Sequence, residues 1–132
     1  MRTSAGADFQ AAVMSSTSSN GTGTYAPANY IALSTNATAP ASGDTTLAGE
    51  LNNASGGLNR AQATYAHTAG TSSYTLTKTF TANSNDGASN TIQKIGVFNA
   101  ASVGTLVFET AVPSPPTLVS GDQITITETV SI

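Results

Sequence analysis

The sequence predicts an all-β protein: an antiparallel β-sandwich or jelly-roll-like barrel with an irregular N-terminal arm. The composition points there first. The 132 residues include 22 Thr and 16 Ser, while charged side chains make up only 8%. Helix surfaces normally carry Glu, Lys and Arg, whereas Thr, Tyr, Val and Ile suit pleated strands. A second observation is the alternation at residues 73–82 and 123–132, where apolar residues occupy every second position between threonines. The third is the spacing of these runs by polar turns, with no interleaved helical pattern to cross over a parallel sheet.

Residues 1–28 read as an N-terminal arm and linker, and residues 29–132 as a single domain. In the arm, Phe9, Val13 and Met14 fit one side of a short helix and equally fit an extended strand. The run SSTSSNGTGTYAPAN is low in complexity and loop-like. NYIALS at 29–34 reads as a buried strand. A long polar connection follows, in which Asp44 is placed to N-cap a turn containing Leu47, Glu50 and Leu51. RAQATYAHT at 60–68 is a further strand. In 73–82, Tyr74, Leu76, Phe80 and Ala82 form one face. NSNDG reads as a turn. Strands at 91–98 and 105–112 form a hairpin, and three prolines then exclude a central strand. Ile124, Ile126, Val130 and Ile132 share a face of the last strand.

The hairpin NTIQKIGVFNAASVGTLVFETAV breaks its own alternation. Ile92 lies on one parity, Ile95 and Val97 on the other. One extra residue at Gln93–Lys94 produces this shift, so a β-bulge is expected there, with Gly96 permitting a bend or a close approach. In the return strand Leu106 and Phe108 are expected to face one way, and Val107 and Glu109 the other.

Several function classes are disfavoured. A net charge of −3 with only four Lys and Arg gives no basic stripe, so no nucleic acid partner is expected. No segment approaches a membrane helix, so no membrane partner is expected either. The N-terminus lacks the apolar run of a signal peptide. Without cysteine there are no disulfides or thiolate metal sites. The matches to a glycosylation pattern at Asn20, Asn36 and Asn53 are what chance gives in so Asn- and Thr-rich a chain.

Catalytic and metal motifs are missing, and no cofactor is expected. The single histidine, His67, has no triad partners in sequence context and reads as a half-buried strand residue. Asn83, Asn85 and Asp86 lack the downstream glutamate of a calcium loop. Asp44, Glu50, Asp86, Asp122 and Glu128 offer carboxylate pairs only by guesswork.

Two charges stand out. Lys78 interrupts the apolar row Tyr74-Leu76-Phe80, and Glu128 interrupts Ile124-Ile126-Val130. Opposite charges in matching gaps suggest a structural ion pair, within one subunit or across a boundary. The alternative is two charges reaching solvent at strand ends. Arg60 is a rival partner for Glu128.

The order YIALSTNATAPASGDTTLAGEL, RAQATYAHT, SYTLTKTFTA, NTIQKIGVFNA, GTLVFETAV and GDQITITETVSI resembles a β-rich module of tailed-phage virion proteins. It is most similar to the capsid decoration (cement) proteins of short-tailed phages, and related modules occur in tail and fibre proteins. The resemblance spans about residues 29 to 132. It implies a non-enzymatic virion protein on the capsid exterior, assembled in the host bacterial cytoplasm. Such a protein bridges subunits of the major capsid protein and often forms a homodimer. The alternative it implies is a tail or fibre module that binds a host surface glycan. Phe9, Met14, Tyr25, Val107 and Glu109 are the candidate partner contacts.

Overall fold

The structure is a computed structural model. It describes residues 1, 3–16 and 26–132, the side chains of Ala7 and Phe9 excepted. Among the described residues it is antiparallel throughout, with one α-helix, α1 (Ser4–Ser15), and a 3-10 turn at Ser84–Asp86. The strands are β1 (Tyr30–Ser34), β2 (Ala61–Gln62), β3 (Thr64–His67), β4 (Ser73–Thr81), β5 (Asn90–Thr91), β6 (Lys94–Phe98), β7 (Leu106–Ala111), β8 (Thr117–Leu118) and β9 (Gln123–Ser131). One sheet runs β2-β1-β6-β7 and another β3-β4-β9, while β5 and β8 form a small ladder.

Alternation explains the packing. Tyr74, Leu76, Phe80 and Ile126 project from the second sheet, and Ile31, Leu33, Ile95 and Val97 from the first, into one shared core. The opposite face of β4 and β9 is a threonine row, with Thr79 and Thr125 hydroxyls 2.9 Å apart. At one side the chain crosses directly from β2 through the buried Ala63 into β3, so that side is closed covalently. The other side lies between β7 and β9, where no strand among the described residues bridges the two sheets.

A second, smaller core lies on the outer face of the first sheet. Leu47, from the connection after β1, packs with Ala32 and Phe98. Gly96 makes room for it: a Cβ there would lie 3.0 Å from Leu47 Cδ2 and 3.1 Å from Leu106 Cδ1. The helical turn expected after Asp44 does not form. Instead the Asp44 carboxylate accepts the Ala41 N–H at 3.0 Å, closing a tight turn that aims Leu47 at the sheet.

The parity change at Gln93–Lys94 has a different cause from the one expected. There the segment leaves the small β5–β8 ladder and joins the first sheet. The Ile92 N–H bonds to Pro116 O, and the Gln93 N–H to Ser34 O. The register shift within the hairpin falls at Val97/Phe98, which pair with Phe108 and Leu106 and leave Val107 as the extra residue. Leu106 and Phe108 therefore face opposite ways. Leu106 joins the outer cluster, Phe108 the main core.

The N-terminal segment is helical and docked. Thr3 caps α1 by accepting the Gly6 N–H at 3.1 Å. Ala11 is fully buried in the main core, Met14 packs at its margin, and Ser15 Oγ donates to Ala28 O at 2.8 Å and accepts from Tyr74 OH at 2.8 Å. Asn29 Nδ2 returns a bond to Ser15 O at 3.1 Å. The matching gaps at Lys78 and Glu128 do not meet. Both lie on the inner face, but the ladder sets Lys78 opposite Ile126 and Glu128 opposite Leu76. Among the described residues no ion pair joins them within the chain.

Candidate functional site

A buried ion pair sits on the outer face of the first sheet. Lys94 on β6 and Glu109 on β7 project to the same side as Ser34 and Ala111. Lys94 Nζ lies 2.7 Å from Glu109 Oε1, and their side chains are 3% and 7% exposed. Asp44 covers this pair. Its carboxyl is held below the usual range first by the Ala41 N–H, with the Lys94 charge acting the same way against burial. Asp44 is itself exposed and borders two grooves. The larger, of about 410 Å³, runs between Pro40–Ser42 and the outer side of β7. It presents the Ser42 hydroxyl, one accessible carboxylate and the apolar surface of Val107, a combination able to accept hydrogen bonds from a hydroxylated ligand.

A second charged pair clamps two loops. Arg60 Nε and Nη2 each donate to the Glu50 carboxylate at 2.8 Å, a bidentate fork. Its Nη1 also donates to Ala100 O and Val103 O, at 3.1 and 2.8 Å. The guanidinium lies 3.5 Å over the Phe98 ring. Val103 takes φ 55°, costly for a β-branched residue, and the Arg60 bond to its carbonyl holds that turn. Arg60 thus belongs to Glu50 and not to Glu128.

Glu128 lies at the mouth between β7 and β9, beside Val97, Phe108 and Val130. Burial pushes its carboxyl up, against a hydrogen bond with Thr110. His67 is half-buried and pinned: Nδ1 lies 2.8 Å from Ser73 O and Nε2 2.7 Å from Asp8 Oδ1. Among the described residues no three His, Asp or Glu side chains group as a metal site, and no helix is long and apolar enough to cross a membrane.

The expected partner contacts divide. Val107 is exposed, at 42%. Glu109 is turned inward onto Lys94, and Met14 packs against the chain's own core. Tyr25 and the Phe9 side chain lie outside the described residues. The Lys94–Glu109, Arg60–Glu50 and His67–Asp8 pairs were not foreseen. One signal was available: Lys94 and Glu109 each interrupt an apolar strand of the same hairpin.

A sandwich that turns its ion pairs to fastening loops and a helix, and presents hydroxyl-rich faces outward, is a structural module. The comparisons with known proteins give that module a family. The chain belongs to the family described as podophage GP4 fiber I protein gp80, whose model matches residues 7–130. It is accordingly a virion structural protein of a short-tailed phage. No curated protein and no solved structure matches it.

Proposed function

We propose that the chain is a non-catalytic subunit of a fibre on the phage virion, and that it meets a host surface glycan through the groove beside Asp44. The family match over residues 7–130 carries this reading, because the family's description is that of a fibre protein. The groove supports it with an exposed carboxylate, the hydroxyl of Ser42 and the exposed Val107. Sugars are gripped in this way, by acceptors on their hydroxyls and apolar contact on their C–H faces. The ion pairs act on the scaffold itself, consistent with a part built for contact area and not for reaction.

Gold-labelled antibody against the chain, applied to intact virions, tests the location. Label confined to fibres is the expected result. Label spread over the head would overturn the fibre reading and favour the capsid-bridging role that the sequence resemblance implies, with the major capsid protein as partner. The glycan contact is tested by Asp44→Ala, which is expected to leave virions intact while slowing adsorption to host cells. Unchanged adsorption would remove the groove from the proposal.

A further inference from the structure

The sandwich has four long-sheet edges, and three of them are blunted. β2 has two residues and continues through Ala63 into the other sheet. β3 has four residues and α1 packs against it, tied by Asp8 to His67. β7 carries the register shift that leaves Val107 unpaired. These are the devices that keep an exposed edge from pairing with another chain. β9 has none of them. It runs nine residues, Gln123–Ser131, without proline, glycine or bulge, and all nine pair with β4 in unbroken register. Among the described residues no strand pairs with its outer edge.

The solvent face of β9 presents Gln123, Thr125, Thr127, Thr129 and Ser131, a row without charge. Such a row is complementary to itself. Run antiparallel to a copy, it sets hydroxyl against hydroxyl, as Thr79 and Thr125 already are within the chain. The only obstacle on this strand is Glu128, which points inward toward Val97 and Phe108 at the mouth. A strand laid along β9 would remove more water from this carboxylate, to which Thr110 hydrogen-bonds.

We infer that a second copy of this chain pairs antiparallel along the free edge of β9, joining two three-stranded sheets into one of six strands, with Glu128 weakening the contact. This interface does not depend on which virion component the chain belongs to.

The chain has no cysteine, so single cysteines report the contact directly. Thr125→Cys, Thr127→Cys and Thr129→Cys are placed on the full chain, oxidised singly and in pairwise mixtures, and compared with Thr77→Cys on the same face of central β4. Facing residues of an antiparallel pair lie close enough to bridge. The expected result is disulfide dimers for combinations that share one register, and none for Thr77→Cys. Glu128→Gln, which keeps shape and removes charge, is expected to tighten dimerisation about tenfold by sedimentation. Thr127→Lys, solvent-facing and checked for its fold by circular dichroism, is expected to abolish it. A chain that sediments as a monomer at roughly 100 µM, wild type and Glu128→Gln alike, overturns the inference. So does a dimer that Thr127→Lys leaves intact and no β9 cysteine crosslinks.

Discussion

His67 Nε2 lies 2.7 Å from Asp8 Oδ1, joining residues 59 positions apart. The same carboxylate oxygen accepts the Gly70 N–H at 2.8 Å. Both ring nitrogens of His67 face acceptors, the second being Ser73 O. Only the imidazolium donates from both nitrogens. The contact therefore holds α1 to the β3–β4 hairpin most firmly when histidine is charged and aspartate is ionised.

This gives a pH window for helix docking. The bond to Asp8 raises His67, with the Ser73 carbonyl adding to it against burial. Its contribution is full below the ordinary histidine pKa and is lost as pH rises through the raised value. Asp8 is lowered by His67 and then by the Gly70 N–H. That contribution is present above the ordinary aspartate pKa and is lost as pH falls through the lowered one. Amide protection factors across 4–15, taken relative to the base-catalysed intrinsic exchange rate at each pH, are expected to be highest at mildly acidic pH and to fall above neutrality. In His67→Gln the alkaline change disappears. An identical alkaline change in that variant would show that His67 does not hold the helix.

Lys94 and Glu109 replace Lys78 and Glu128 as the buried pair to break. Lys94→Met leaves the Glu109 carboxylate without its cation at a site where both side chains are almost fully covered. A loss of about 3–5 kcal/mol is expected in denaturant unfolding. Lys94→Met with Glu109→Leu is expected to recover most of it. Additive losses in that cycle would mean the two side chains are not coupled.

Arg60→Lys keeps the charge and removes the fork. A lysine cannot serve Glu50, Ala100 O and Val103 O together, nor stack flat on Phe98. The expected cost is about 1–3 kcal/mol, with faster amide exchange across residues 99–105. Protection unchanged there would place the turn's stability in its backbone alone.

Asp86 gathers three backbone donors, from Asn83, Gly57 and Leu58, at 2.8, 2.9 and 3.2 Å. Burial pushes its carboxyl up, but these N–H groups outweigh it and the pKa is lowered. Its stabilisation is thus present above the ordinary aspartate pKa and fades as pH falls through the lowered value. Asp86→Asn is expected to lower stability near neutral pH by about 1–2 kcal/mol. It is also expected to flatten the fall in melting temperature between roughly pH 5 and pH 3. A variant that keeps the full acid dependence would assign that dependence to other carboxylates.

Strands β4 and β9 were readable almost to the residue because period-two alternation is local information. What joins them was not. Lys78 and Glu128 each stand third in their apolar rows, and matching positions meet only if the strands run parallel. Antiparallel pairing sets third against second, so each charge faces an apolar residue. The hairpin at 90–112 misled for a related reason. A change of sheet and a bulge both shift parity, and only the partner strands distinguish them. The pairs His67–Asp8 and Arg60–Glu50 depend on where a helix and a loop return to the body, and no spacing in the sequence encodes that return.

The pairing of β4 with β9 also sets a timetable. Its facing residues are 42 positions apart at one end and 58 at the other. Contacts that distant in sequence form slowly, on the millisecond-to-second scale. On a ribosome adding about 5–20 residues per second, β9 emerges roughly 2–10 s after β4. Through that interval a nine-residue strand with a free edge and an apolar face has its neighbour still unmade. Slowing translation between residues 82 and 122 should therefore lower the yield of soluble protein, and speeding it should raise that yield.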